Sequence, residues 1–564
     1  MTRSRMLGAV AIAAAALAYA IPAESVGCAQ NSHYAAIRSI AAGRPFIDRY
    51  AQTTCDLVRD ANGHFYAAKA PAMDIFAVPW YRLLDAAGAV PRDKNRTLGY
   101  PAAMVGVPLR AIWQIGLWAV VLPAVCLLVL VRRTVDRLEP GLGTASAVIL
   151  GLGTLVLPFS TLLFAHVPAT ALAFGSFALL FGRREASLAR VVAAGCAAGL
   201  AVATDLPLAV PAALIGVYAA SRAPHVRRLL AFGGGGAVGL APLLAFDAWA
   251  FGNPFHLPYS GVALNPGAGG VEQTSGDHGF FTLGAPSPRV AVELLLSQRG
   301  LFVLAPVLAA ALLGCVLLWR RGLRREAALV GALCVVEVVW NSGHNGLFMS
   351  LGGWVPGPRF LIPLLPFLCF ALAPVLRRAP AAVGALALVS IGAMTVATSA
   401  EPLLSNDDTR HWLERIRDGN FTATVLTFAG AGHGWLAVLP FFAAVLVAVG
   451  AGVAATRLPL PRRDLAVAAA AVVAWLLVEH AAPQLLRVDR AVGESWGVVA
   501  ALALAAAAAW SAARLRPEGL LLLPLGLGSA PHHTKVALLV AALVLAALGT
   551  RSAWPAIRAR AAGP

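Results

Sequence analysis

A polar stretch near the N-terminus gathers the residue types that move a proton beside an anion. Asp48 and Asp56 are carboxylates of the kind that deprotonates a hydroxyl. Lys69, within Gly63-His-Phe-Tyr-Ala-Ala-Lys-Ala-Pro71, is a compact cation that can hold a phosphate as a point charge. The Ala-Pro that follows fixes a turn or helix start immediately after it. Lysine is a rare choice here: Lys plus Arg number 44, and only Lys69, Lys94 and Lys535 are lysines. Much later in the chain, Arg299 and Arg359 each stand at the start of an apolar run, where a guanidinium suits bidentate phosphate contact. His64 and Tyr66 are candidates to line the same pocket. Blander roles compete with each assignment. Asp48, Arg49, Asp56 and Lys69 can form solvated surface ion pairs, the two arginines can snorkel to lipid headgroups, and Tyr66 can anchor at the membrane interface. His166, between two apolar runs, reads first as a satisfied helix-end residue.

The elements that position these groups follow from composition. Of 564 residues 59% are hydrophobic and only 13% charged, with a mean hydropathy of +0.74. Water-soluble domains carry about 25% charged residues, so a soluble globular protein is excluded and an all-α polytopic membrane protein is expected. The net charge of +17 does not mark a nucleic-acid binder. It comes from short clusters between apolar runs: Arg132-Arg133, Arg183-Arg184, Arg227-Arg228, Arg320-Arg321 with Arg324-Arg325, Arg377-Arg378, Arg462-Arg463, and Arg514 with Arg516. That is the positive-inside pattern of cytoplasmic loops. Each span needs about 20 apolar residues. The runs read as spans near 7–23, 108–131, 143–164, 168–182, 190–204, 206–221, 229–250, 300–319, 327–342, 358–376, 380–399, 435–456, 465–482 and 494–513, and all the clusters then fall on one side. The runs 519–528 and 534–550 leave the number at fourteen to sixteen. The first span reads as an uncleaved anchor, with Ala18-Tyr-Ala20 the alternative cleavage site.

On the opposite side lie the larger polar segments 24–107, 251–299, 341–357 and 400–434. The first holds Glu24, Asp48, Asp56, Asp60, Asp74, Asp85 and Asp93, seven of the 27 acids in the chain. Within it, Ala72–Ala87 has apolar residues at helical spacing and reads as an amphipathic helix on the membrane surface, with Trp80 and Tyr81 at headgroup level. Cys28 and Cys55 alone among seven cysteines lie in this polar loop, a disulfide-permissive compartment, and are expected to be bonded. Zinc-ligand spacings are absent, so no protein-bound structural metal is expected. Acids in or beside spans, namely Asp205, Asp247, Glu293, Glu337 and Glu479, are costly in hydrocarbon and are functional candidates by default.

The order Asn31-Ser-His-Tyr34, Ile47-Asp-Arg-Tyr50, Asp56, Gly63-His-Phe-Tyr-Ala-Ala-Lys-Ala-Pro71 resembles the first extracytoplasmic loop of polyprenyl-phosphate-dependent GT-C glycosyltransferases. It is similar to the bacterial branch grouped with the dolichyl-phosphate-mannose mannosyltransferases and aminoarabinose transferases. Phe164-Ala-His166, Trp249-Ala-Phe-Gly-Asn-Pro-Phe255, Gln298-Arg-Gly-Leu-Phe302 and Gly352-Gly-Trp-Val-Pro-Gly-Pro-Arg-Phe-Leu-Ile-Pro363 fit the same branch. The resemblance covers residues 1–440, a catalytic module, with 441–564 as additional C-terminal helices. It implies a GT-C-like bundle in a bacterial plasma membrane with its active site facing the extracytoplasmic side. There a sugar would move from a polyprenyl-phosphate donor to an acceptor hydroxyl on an envelope glycan, lipid or protein, by inverting, base-assisted displacement. Lys69 matches the family's Tyr-x-x-Lys-x-Pro lysine and would hold the phosphate. The Asp-Glu pair of better-known members is Gln30-Asn31 here, so Asp48 is the first choice of base and Asp56 the second. No cofactor is certain, and dependence on a divalent cation is open. The alternative reading is a multi-pass transporter or flippase for an amphiphilic or lipid-linked substrate, which would place its charges at mid-membrane and duplicate its halves; no internal repeat is obvious.

Overall fold

The computed structural model describes residues 3–90, 108–182, 187–257, 259, 262–264, 272–273, 284–344, 350–403, 410–456, 458–459 and 461–485. The expected spans at 494–513, 519–528 and 534–550 lie outside them, as do Asp93 and the side chain of Glu479.

Runs of Ala, Leu and Val punctuated by Gly and Pro fold as helices, and the chain is a polytopic helical membrane protein. Among the described residues five helices are long and apolar enough to cross a membrane: Leu109–Leu138, His225–Phe251, Arg359–Arg378, Pro380–Ala400 and Trp435–Thr456. Counting the bent pair Pro288–Leu304 and Pro306–Arg320 as one span makes six. Several of the spans expected from hydropathy are therefore shorter or broken. Residues 143–164 divide into Gly143–Leu152 and Val156–Thr161, and 300–319 bends by 100° at Pro306, which has no N–H to continue the helix. Leu188–Thr204 and Leu206–Ala220, parted at Asp205, keep the separation expected between 190–204 and 206–221. The expected module boundary at 440 lies inside the helix Trp435–Thr456.

In chain order the helices used below are α1 (Arg3–Ala20), α2 (Cys28–Ala41), α3 (Ala72–Ala86), α4 (Leu109–Leu138), α5 (Gly143–Leu152), α6 (Val156–Thr161), α7 (His166–Leu180), α8 (Leu188–Thr204), α9 (His225–Phe251), α10 (Arg324–Ser342), α11 (Arg359–Arg378) and α12 (Trp435–Thr456). The short strands are β1 (Pro22–Ala23), β2 (Leu57–Arg59), β3 (Phe65–Ala67), β4 (Val262–Leu264), β5 (Glu272–Gln273) and β6 (Ala423–Thr424).

Helix α11 runs through the middle of the bundle, with 94% of its apolar window buried inside the protein. It gives the molecule two distinguishable ends. Arg359 begins it; Arg377, near its last turn, meets Glu139 together with Arg321. Twenty helical residues separate these ends by about 30 Å. The Glu139 cluster also lies at the C-terminal end of α4, which carries Arg132 and Arg133. At the other end, β1 pairs antiparallel with β6. Beside that pair Glu24, 2% exposed, accepts hydrogen bonds from the hydroxyls of Thr161 (3.2 Å) and Thr422 (2.6 Å). Burial pushes its carboxyl up to about 8.

Helices α8 and α9 approach more closely than side chains allow. A Cβ at Gly195 would meet the Phe232 carbonyl oxygen at 2.0 Å, one at Gly199 the Gly236 oxygen at 2.1 Å, and one at Gly235 the Val192 oxygen at 2.0 Å. Small residues at such contacts let membrane helices pack without a hydrophobic drive between them. Gly199→Leu is expected to force α8 from α9 and destabilise the protein by about 1–3 kcal/mol. Thermal unfolding in detergent checks this against Gly234→Ala, where nothing lies within 4 Å and no loss is expected.

Candidate active site

The site is assembled from the first polar loop. Gly27 and α2 begin it, and the Cys28–Cys55 disulfide (Cα–Cα 5.2 Å) ties the following segment back onto the start of α2. Two further bonds fix the same point: Thr54 Oγ1 donates to the Cys28 carbonyl at 2.7 Å, and Ser32 Oγ to the Asp56 carbonyl at 2.7 Å. From Asp56 the chain enters a hairpin in which Leu57 pairs with Ala67 and Arg59 with Phe65. Gly63, at φ +84°, supplies its turn. That register returns the chain to Asp56, and Lys69 forms an ion pair with its carboxylate. Both side chains are largely buried, at 13% and 8% exposure. Asp56 Oδ1 is buried and has no hydrogen-bond partner among the described residues. The second polar segment completes this sheet: β4 pairs with β2, and β5 with β4.

Arg359 arrives from a different direction. Arg299, 3% exposed, donates from Nη2 to the carbonyls of Gly353 (2.6 Å) and Val355. It thereby folds the glycine-rich loop before α11. A Cβ at Gly352, whose φ is +94°, would stand 2.2 Å from Arg359 Nε, so glycine makes the room in which the Arg359 stem lies. The guanidinium sits over Phe164 (5.3 Å) and Phe360 (5.0 Å). It has no carboxylate within ion-pair distance among the described residues, and its buried Nε has no hydrogen-bond partner there.

Lys69 and Arg359 line one cavity of about 40 Å³ with His33, Ala70, Phe164, Ala165, His166, Thr204, Asp205, Tyr259 and Phe360. That volume holds the centres of about three water-sized groups, enough for the oxygens of a phosphoryl group. Two histidine–carboxylate pairs flank it. His33 Nδ1 meets Asp74 Oδ1 at 2.8 Å, with both side chains 2% exposed. His166 Nδ1 meets Asp205 Oδ2 at 2.5 Å. Burial raises the Asp74 carboxyl, and His33 opposes that shift. Tyr259 is pushed well above its ordinary value by burial, with Asp205 and Asp56 adding to the effect. Two cations, one with no carboxylate within ion-pair distance among the described residues, thus face a pocket walled by buried side chains, an arrangement suited to an anion.

The sequence-predicted residues divide sharply. Lys69, Arg359 and, behind Lys69, Asp56 converge. Asp48 does not reach the cavity: its Oδ2 meets His64 Nδ1 at 2.6 Å, its Oδ1 accepts from the Phe65 amide, and both side chains are well exposed at 37% and 43%. His64 stacks on Phe46 at 4.1 Å. Tyr66 donates to the Ala250 carbonyl at 3.1 Å and accepts from Asn62, locking the hairpin onto α9. Arg299 acts on the Gly352–Val355 loop and does not line the cavity. Asp74 lies on the buried face of α3 and is not a solvated interfacial charge; Trp80 donates to the Gln114 carbonyl and stacks with Trp118. Among the described residues no group of three His, Cys, Asp or Glu is placed to hold a metal ion. Sequence reasoning passed over His33, Asp74 and Tyr259. His33 stood inside a quoted motif, but nothing in the spacing joins it to a partner on another helix.

No family model and no curated protein sequence matches the chain. Among solved structures it is similar to ArnT from Cupriavidus metallidurans in the apo state, at 17% identity and a TM-score of 0.42, covering 96% of this chain and 77% of that one. It is also similar to ArnT from Cupriavidus metallidurans bound to undecaprenyl phosphate, at 16% identity and a TM-score of 0.44 with the same coverage.

Because Arg299 holds two carbonyls through one nitrogen, Arg299→Lys is expected to loosen the loop carrying Arg359 and cost about 2 kcal/mol. A thermal melt measures the loss, and an unchanged melt contradicts this role.

Proposed function

We propose that this chain is a membrane glycosyltransferase of a bacterial envelope, moving a sugar from a polyprenyl-phosphate donor to an acceptor hydroxyl. The observation that carries the reading is the convergence of Lys69 and Arg359, contributed by segments far apart in the chain, on one small cavity at one end of the bundle, with Asp56 paired to Lys69 behind it.

In this reading Arg359 and Lys69 hold the donor phosphate, and Asp56 receives the acceptor's proton. The acceptor oxygen attacks the anomeric carbon from the face opposite the phosphate, so configuration inverts. The carbon–oxygen bond to phosphate breaks, and its electron pair leaves with the phosphate. The Asp56–Lys69 pair couples the two halves. When Asp56 takes the proton it loses its charge, and Lys69 is released to neutralise the charge developing on the phosphate. The cavity accepts the phosphoryl group alone, so sugar and prenyl chain lie towards its mouth. The arginine-bracketed Glu139 at the far end of α11 supports an extracytoplasmic placement of the cavity, since arginines concentrate on the cytoplasmic side. Sugar and acceptor are set by groups beyond the phosphate pocket.

Purified protein assayed with polyprenyl-phosphate sugars is expected to transfer sugar. Asp56→Asn should lower kcat by about 10²–10⁴-fold, and Lys69→Met should weaken both donor binding and turnover. Asp48→Asn should retain turnover, its partners being His64 and a backbone amide. Full turnover in Asp56→Asn, or transport of the lipid-linked sugar without transfer, contradicts the proposal.

A further inference from the structure

The charges facing the cavity do not suffice for a bound anion. Lys69 is matched by Asp56. Arg359 is the cation without an ion-pair partner among the described residues, and the Asp205 carboxylate lines the same cavity. With His166 neutral, Lys69, Arg359, Asp56 and Asp205 sum to zero. A phosphodiester entering that pocket would then bring an uncompensated charge among buried side chains, next to a carboxylate that repels it. One group at the cavity can correct the balance by taking up a proton. His166 Nδ1 is committed to Asp205, so its Nε2 is the nitrogen left for a ligand. Its ring is held edge-on to Phe159 and Phe360, at 6.0 and 5.6 Å, and stacked on Phe164 at 5.8 Å. Such a ring is pre-oriented and pays little entropy on binding.

We propose that His166, held by Asp205, is a third ligand of the donor phosphate and binds it as the imidazolium, so that donor binding takes up a proton. The inference rests on the phosphate-site reading given above. His166 begins α7, where the helix N-terminus favours an anion and disfavours a lone cation. Proton and phosphate therefore enter together. An anion at Nε2 raises the affinity of the ring for its proton, so binding is strongest at low pH and weakens as pH rises through the value reached in the complex. Other charged and titratable groups face this point from every side. They are Lys69 from the segment after β3, with Asp56 behind it; Arg359 from α11; from α10 and the residues just after it, Glu337 towards Asp205 and His344 across Phe360; and Tyr259, with the His33–Asp74 pair of α2 and α3 opposite. His33–Asp74 is the rival site of proton uptake, and the experiment separates the two.

The probe is a prenyl methyl phosphodiester, singly charged throughout the working pH range. Its binding to detergent-solubilised full chain is followed by calorimetry at neutral pH in buffers of small and large ionisation enthalpy. Wild type is expected to take up close to one proton per ligand. His166→Gln should abolish that uptake and bind about tenfold more weakly at pH 6 but like wild type at pH 9. Asp205→Asn should reduce the uptake while leaving the ring in place, and His33→Gln should preserve it. Binding by wild type without uptake, or uptake lost in His33→Gln and kept in His166→Gln, overturns this inference and leaves the transferase reading standing. No binding by wild type overturns both.

Discussion

A lysine buried to 13% exposure keeps its charge most readily with a counter-charge beside it, and Asp56 supplies that charge to Lys69. The rest of the first polar loop serves this contact. The Cys28–Cys55 disulfide and the Thr54 and Ser32 hydrogen bonds hold Asp56 against α2. The hairpin register then decides that the residue arriving opposite is Lys69. Removing either charge alone would strand the other in a place where burial penalises it. In the proposed reaction the same pair would make proton acceptance by Asp56 the event that frees Lys69, so that base and phosphate ligand would act as one unit.

The helices supply what the loop cannot, a fixed frame on which separate segments register to within a hydrogen bond. Helix α11 is buried along its length and delivers Arg359 from one direction. The glycine contact between α8 and α9 fixes the end of α8, where Asp205 turns towards His166. Strand β4 from the second polar segment joins β2, placing Tyr259 at the cavity wall. Stability and site are linked here because the cavity has no floor of its own. Each wall belongs to a different helix or loop, and displacement of any one opens it.

Much of this was legible in the sequence, for identifiable reasons. Hydropathy and the spacing of arginine clusters gave the membrane class because both follow from solvent alone. The rarity of lysine singled out Lys69, and its place at the start of an apolar run singled out Arg359. The choice between Asp48 and Asp56 was not legible. Both are acids in one loop, and only the hairpin register, a long-range pairing, turns one to Lys69 and the other to His64. Helix lengths were misjudged where Pro306 and the 153–155 break interrupt apolar runs whose composition alone reads as continuous. The histidine–carboxylate pairs were invisible because each joins two elements, α2 to α3 and α7 to the end of α8.

The central claim is that one anion site is built from Lys69 and Arg359. A structure of the protein with a prenyl phosphate bound tests it most directly. The account predicts phosphate oxygens within about 3 Å of both Lys69 Nζ and the Arg359 guanidinium, with His166 at their side. A phosphate seated elsewhere, at the Arg321–Arg377 end or against Asp48 and His64, with the Lys69 cavity empty, would contradict it.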